Sequence, residues 1–343
     1  MMRLRLACII ATLLATGSNA GAGAGPLVLD AGYLQPSGAI MTYYKGADII
    51  DPYFPTKALF TAQDNGMNTN ALARGWINWL LARQEPNGLF SRFCRDEDIN
   101  DYRACLEADA DDSMMAMWVE LLYRSAPTSG MPVQWKQSVR KSEAQLESLF
   151  NPEAGVYFVS ETMPVGLLMD NVEIYSSLKR IAKEARRLGE KQQASLFSLK
   201  AARLKTGIIK TFWNPDLEAF HASTQPRTEK VFYPDIVGQL MPMLHGFDFT
   251  PTESAAQSYT AWMNDHHEEW TGLIGNHFPW GLVAVVAAQH NDVQTASCWV
   301  EKVAAERNSS NWDVLDEAAF QSVKLQLQKK WPGDAGSCQE AVS

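Results

Sequence analysis

Phe150-Asn151-Pro152-Glu153-Ala154-Gly155-Val156-Tyr157 closes one helical run of this chain, and Trp213-Asn214-Pro215-Asp216-Leu217-Glu218-Ala219-Phe220 closes another. Glu85-Pro86-Asn87-Gly88-Leu89-Phe90 does the same earlier. Each phrase is an Asn/Pro/Gly turn running into an aromatic residue, and each is followed, after a linking loop, by a further helical run. The unit is helix, turn with a short extended piece, helix, and its recurrence organises the sequence although the spacing is too irregular for a strict solenoid.

Working outward from these turns, apolar residues recur at helical spacing over 67–84, 110–125, 133–150, 168–188, 192–212, 235–245, 252–267, 279–289, 292–307 and 312–328, with a shorter helix over 55–63. Alternating strand patterns are scarce. The best is Gly155-Val156-Tyr157-Phe158-Val159, so an all-α fold is expected.

The N-terminus carries an export signature. Arg3 and Arg5 precede the uncharged apolar run Leu6 to Thr16, and Ser18-Asn19-Ala20 offers a cleavage site. That run is too short for a hydrocarbon layer of ~30 Å. The expected organisation is a leader over 1–20, a tether over 21–40, one domain over 41–332 and a tail over 333–343, giving a secreted or periplasmic protein with no membrane span. A formal charge of −9 argues against a nucleic-acid partner. Removing Cys8 with the leader leaves Cys94, Cys105, Cys298 and Cys338, for which pairing by proximity gives Cys94 with Cys105 and Cys298 with Cys338. No CxxC or HxxxH spacing suggests a metal, and no phosphate loop or nucleophile elbow appears, so no cofactor is expected.

The helix–turn–helix alternation resembles the six-hairpin glycosidases, the (α/α)6 toroids. That resemblance implies outer helices over 67–84, 133–150, 192–212, 252–267 and 292–307, and inner helices starting near Phe54, Asp111, Asp170, Pro234, Pro279 and Trp312, with long mouth loops before the inner helices. Acidic residues collect at those starts: Asp48 and Asp51; Asp109, Asp111 and Asp112; Asp170; Asp235; Asp313 and Asp316. Aspartate is also a favoured N-cap, and Asp170 with Glu173 has capping-box spacing. Hydrolysis of a glycosidic bond needs two facing carboxyl groups, one protonated, and crowding raises carboxyl pKa values.

Glu107-Ala108-Asp109-Ala110-Asp111-Asp112-Ser113-Met114-Met115-Ala116-Met117-Trp118 is similar to the signature of glycoside hydrolase family 8. The resemblance implies a substrate-distorting aspartate at Asp109 or Asp111. Asp51-Pro52-Tyr53-Phe54 stands where that family carries its general-acid Ser-Glu-Gly motif, with Asp for Glu. Phe232-Tyr233-Pro234-Asp235-Ile236-Val237 resembles its base-bearing stretch, although Pro234 beside Asp235 is also an ordinary helix opening.

The expected activity is therefore inverting hydrolysis of a polysaccharide by an exported monomer. Asp51 and Asp235 form the lead pair and Asp111 shapes the subsite between them, with Asp112 and Asp170 as further candidate acids. Asn171 could hold a hydroxyl, and Tyr43, Tyr44, Tyr53, Tyr233, His277 and Trp280 are placed to meet sugar. Trp76, Trp79, Trp118 and Trp262 are expected in packing, Arg92 and Arg95 as solvated charge, His266-His267 as solvated, and His245 as a cation at a helix C-terminus. Two alternatives stand beside hydrolysis: a polysaccharide lyase using Tyr233, His277 and Arg92, or a non-catalytic glycan-binding or exopolysaccharide accessory protein.

Overall fold

The computed structural model describes residues 25–45, 49–108, 110–247, 255–275, 277–331 and 338. The leader, Asp48, Asp109, Asn276 and most of the tail lie outside the described residues.

The helices come in chain order as α1 (Tyr53–Asp64), α2 (Asn70–Leu81), α3 (Asp111–Ser125), α4 (Val133–Ser148), α5 (Leu168–Arg187), α6 (Lys191–Phe212), α7 (Met241–Leu244), α8 (Ala255–Gly272), α9 (Gly281–Gln289), α10 (Val293–Val303) and α11 (Val314–Lys330). α1, α3, α5, α7, α9 and α11 pack each on the next, and α11 returns to α1. This closed inner ring, with α2, α4, α6, α8 and α10 outside it, is an all-α (α/α)6 toroid.

Composition sorts the two layers. α9 reads GLVAVVAAQ, apolar on every side, and everything from Gly281 to Ala288 is buried. α4 buries only the stripe Ser138, Val139, Ser142 and Leu146, as a helix on the outside should. Trp76, Trp79, Trp118 and Trp262 are buried in packing.

The recurring phrases fold alike. The Asn151 side chain accepts from the backbone N–H groups of Glu153 and Ala154 (3.0 and 2.8 Å), and that of Asn214 from Asp216 and Leu217 (2.9 and 3.3 Å). Each turn joins a two-residue antiparallel pair, β4 (Phe150–Asn151) with β5 (Val156–Tyr157) and β6 (Trp213–Asn214) with β7 (Ala219–Phe220). In both, the aromatic ends meet edge to face with ring centroids 5.0 Å apart: Phe150 with Tyr157, and Trp213 with Phe220. Gly155, at φ +78°, lies against the backbone of Gly207 on α6, an approach that leaves no room for a Cβ at Gly207.

Three sequence expectations need correction. A three-stranded antiparallel sheet, β1 (Ile49–Ile50), β2 (Arg92–Asp96) and β3 (Asp101–Leu106), stands before α3. β1 has only two residues, β2 and β3 are rich in charge, and only Phe93 and Tyr102 of β2 and β3 are buried, both against Trp79 (ring centroids 5.1 and 6.3 Å), so an alternation scan passes over the sheet.

The helix expected over 235–245 is instead a π turn (Phe232–Ile236), a 3-10 turn (Val237–Leu240) and the single turn α7. Tyr233 is extended before a cis Pro234, and Gly238 and Pro242 weaken any longer helix beyond it. From residue 25 onward the expected tether is packed: Leu27, Leu29 and Tyr33 are core residues, and the Val28 backbone exchanges two hydrogen bonds with the Gln321 side chain on α11 (3.0 and 2.7 Å).

Both expected disulfides form, with Cα–Cα distances of 5.7 Å for Cys94–Cys105 and 4.9 Å for Cys298–Cys338. Among the described residues no helix is long and apolar enough to cross a membrane.

Candidate active site

The inner helices bring their N-terminal ends together at one mouth. Asp51, just before α1, is fixed from two sides: its N–H donates to Thr42 Oγ1 (2.8 Å) and its Oδ1 accepts from the Tyr53 N–H (3.0 Å). Arg92 Nε lies 4.0 Å from Asp51 Oδ2 and donates to the Glu107 carbonyl (2.7 Å). Arg92 is thus a half-buried tie between the β2–β3 hairpin and the start of α1, which corrects its expectation as solvated charge.

α3 opens at Ala110 without a side-chain cap, and the N–H groups of Asp111 and Asp112 both reach the Val159 carbonyl (3.1 and 3.3 Å). Capping therefore does not account for these two aspartates. Asp111 stays half-buried at the rim, where burial, then Glu85, Glu107 and Glu161, push its carboxyl up to about 6. Asp112 points inward and is fully buried. Burial and the Asp170 charge raise it well above the usual carboxylate range, against a hydrogen bond from the Ser113 N–H that favours the ionised form. Its Oδ2 has no hydrogen-bond partner among the described residues.

On α5, Asp170 is buried two residues inside the helix start. Asn171 is fully engaged within the fold: its amide accepts from the Tyr157 N–H (2.8 Å) and donates to the Tyr157 and Leu167 carbonyls (2.9 and 2.8 Å). Glu173 is not a capping partner of Asp170. Its Oε1 takes hydrogen bonds from Tyr53 Oη (2.7 Å) and Lys57 Nζ (2.6 Å), and the Lys57 and Glu173 side chains are only 4% and 1% exposed.

Lys57 Nζ also lies 2.9 Å from His245 Nε2. Burial, with Lys57, Arg180 and Arg124 nearby, holds His245 well below the usual histidine range. It stands at the C-terminal end of α7 as expected, but as a buried neutral acceptor of Lys57 and not as a cation. Lys57, Glu173 and His245 are the residues sequence reasoning missed. Their one signal was Lys57, four residues after Tyr53 and the one cation in a helix buried from Pro55 to Ala62.

The opposite wall is aromatic. Tyr233, 50% exposed, stacks on Trp280 at 5.3 Å and 29°. Together with Tyr43, Phe232, His277 and Phe278 they line a cleft of about 490 Å³. Tyr44 does not line it: its ring packs edge-on against Tyr33 at 5.3 Å. Asp235 anchors the turn below Tyr233, with Oδ2 accepting from the Val231 N–H (3.2 Å).

Asp313 caps α11 by accepting from the Asp316 N–H (2.7 Å), and burial pushes it up to about 7. Asp316 accepts from the Gly281 N–H (2.8 Å) and is raised well above the usual range by burial and by Asp313.

The two walls share one electrostatic field. The Tyr53 hydroxyl is pushed up by burial, then by Glu173, Asp170 and Tyr233; that of Tyr43 by burial, then by Asp313, Asp51 and Asp316. His266 and His267 lie apart on α8, His266 paired with Glu269 at 3.4 Å. No grouping of His, Cys, Asp and Glu suited to a metal occurs among the described residues.

No protein-family model and no curated protein matches the chain. Solved structures share its fold. An alpha-amylase from Clostridium perfringens matches with a TM-score of 0.54 at 10% identity, covering 86% of this chain and 94% of that one. A GH63 mannosylglycerate hydrolase from Thermus thermophilus in complex with glucose matches with a TM-score of 0.52 at 10% identity, covering 84% and 95%. A rhamnosidase from Klebsiella oxytoca with rhamnose bound matches with a TM-score of 0.52 at 11% identity over 81% of this chain. The chain spans only 58% of that rhamnosidase.

Proposed function

We propose that this protein is a glycoside hydrolase that cleaves a polysaccharide at the mouth of its toroid. The observation that carries the reading is carboxyl groups beside aromatic faces at the inner-helix starts: Asp313, Asp51 and Asp316 act on Tyr43, Glu173 and Asp170 act on Tyr53, Asp170 and Asp111 act on Asp112, and Tyr233, which also acts on Tyr53, stacks on Trp280. Carboxyl groups supply acid and base, and aromatic faces supply a platform for pyranose C–H bonds. Solved glycosidases with the same fold agree with it.

The acid must still hold a proton near neutral pH, and Asp111, pushed up to about 6 and half-exposed, meets that need. Asp111 gives its proton to the glycosidic oxygen as the C–O bond breaks. Asp51, held by Thr42 and Tyr53, takes a proton from the water that attacks the anomeric carbon, and the products are an inverted reducing sugar and a free hydroxyl. Inversion calls for roughly 6.5–9.5 Å between the two carboxyl groups. Asp235, expected from sequence as half of the lead pair, takes the supporting role of fixing the Tyr233 turn. Asp170 and Asp112 set the charge beneath.

Arg92, the cation that a lyase would aim at a uronate, faces Asp51 and Glu107, which favours hydrolysis over elimination. Two disulfides and the leader-like residues 1–20 support work outside the cytoplasm. Reducing-end release by the wild-type protein, compared with Asp111→Asn and Asp51→Asn, tests the roles. Loss in both variants with unchanged melting is expected, and full release by either removes it from the reaction.

A further inference from the structure

Trp280 is the N-cap of α9 and holds φ +49°, ψ 54°, a left-handed conformation that a bulky side chain rarely adopts. The backbone around it is over-determined. On one side the Pro279 carbonyl accepts from two buried indoles, Trp270 Nε1 (3.0 Å) and Trp299 Nε1 (3.4 Å). On the other the Gly281 N–H donates to the buried Asp316 (2.8 Å). A Cβ at Gly281 would collide with Ala319 and with the Asp316 carboxyl, so the chain is close-packed here. Strain held by three hydrogen bonds keeps the Trp280 ring in the cleft, stacked on Tyr233 at 5.3 Å.

The lining of this cleft has a consistent chemistry. Among the described residues its side chains are aromatic, aliphatic, hydroxyl, amide and imidazole, with no lysine, arginine, aspartate or glutamate. Behind it stand Asp313 and Asp316, and Asp51 acts on the shared Tyr43. Of the cations in flanking segments, Arg307 holds Glu317 through two contacts (3.0 and 2.6 Å) and Lys45 lies 5.1 Å over the Tyr44 ring, while Lys230, two residues before Phe232, is exposed to solvent. A uronate carboxylate placed here would give up water for aromatic faces with no cation among the described lining residues to receive it.

We infer that the Tyr233–Trp280 cleft is a binding subsite for an uncharged pyranose of the glycan chain, and that Asp316 is a positioning residue that holds the Trp280 platform through the Gly281 N–H. This rests on the mouth being a glycan site, as proposed above. The carbon-bound hydrogens of a neutral sugar ring suit the stacked rings, while Ser310, Asn311 and His277 offer hydrogen bonds at the edges.

The test is calorimetric binding of cellohexaose, xylohexaose, mannohexaose and hexagalacturonate to the Asp111→Asn protein, so that turnover does not consume the probe. At least one neutral oligosaccharide binds, and hexagalacturonate binds at least tenfold more weakly. Trp280→Ala weakens neutral binding about tenfold and Trp280→Phe restores most of it. Asp316→Leu weakens it as Trp280→Ala does, whereas Asp316→Asn, which keeps the acceptor for Gly281, does not.

Equal or tighter binding of hexagalacturonate, binding indifferent to Trp280→Ala, or no binding of any neutral probe overturns the inference. Trp280-dependent binding with no sugar release by the wild-type protein would overturn hydrolysis and leave this subsite standing. Release indifferent to Trp280 would do the reverse.

Discussion

Glu85→Gln should move the alkaline limb of activity to lower pH without abolishing activity. Asp111 is raised to about 6 chiefly by burial, and Glu85 is the first of three like charges that raise it further. Removing a like charge eases ionisation of Asp111, so the limb shifts toward acid. Because burial remains, most of the elevation stays. One charge at a solvated rim is worth about 0.4 kcal/mol, or ~0.3 of a pH unit. A carboxyl at pH 7 with a pKa near 6 is about one-eleventh protonated, and near 5.7 about one-twentieth. Activity should therefore fall roughly twofold at pH 7 and change little at pH 5. Glutamine retains an acceptor for the Ser91 hydroxyl, which donates to Glu85 at 2.7 Å, so the turn should survive. The assay is kcat/KM from reducing-end release between pH 4 and 8. A limb that stays put or moves to higher pH, or a loss equal at pH 5 and pH 7, refutes Asp111 as the proton donor.

Lys57→Met leaves the buried Glu173 with the Tyr53 hydroxyl but without its cation; a loss of ~3–5 kcal/mol and a Tm lower by about 5–10 °C is expected, with partial recovery in Lys57→Met/Glu173→Gln, read by thermal melting. Asp313 is raised to about 7, so the stability tied to its protonated form is complete below the ordinary carboxylate range and lost as pH rises through about 7. Tm measured from pH 4 to 8 should fall over that window in the wild type and fall less in Asp313→Asn, which retains a capping side chain. Replacing Cys94 and Cys105 by serine opens a crosslink between residues 11 apart, for which chain entropy gives about 3 kcal/mol in urea unfolding. The same variant should weaken activity, because the hairpin carries Arg92 to Asp51.

The toroid was legible because its information is local. Asparagine turns at 87, 151 and 214 use the same side-chain-to-backbone bonds, and the difference between all-round apolar α9 and one-striped α4 separates inner from outer helices. The aspartates at the starts of α3, α5 and α11 were readable as positions for the same reason, being written at helix starts. The β2–β3 hairpin was not, since charge and a cross-strand disulfide replace alternation there. The buried Lys57–Glu173–His245 cluster was hidden because its partners are distant in sequence: Glu173 lies 116 residues from Lys57, and His245 lies 188. Which face an aspartate takes was also out of reach. Asp111 and Asp112 are adjacent, yet one stands at the rim among Glu85, Glu107 and Glu161 and the other is sealed beneath Asp170.

Reducing-end release from a panel of bacterial and plant polysaccharides, with wild type and Asp111→Asn side by side, bears most directly on whether the mouth is hydrolytic. Release by the wild type on at least one glycan, lost in a variant that melts at the same temperature, is the expected result. No release from any glycan, or release that survives Asp111→Asn, would contradict it.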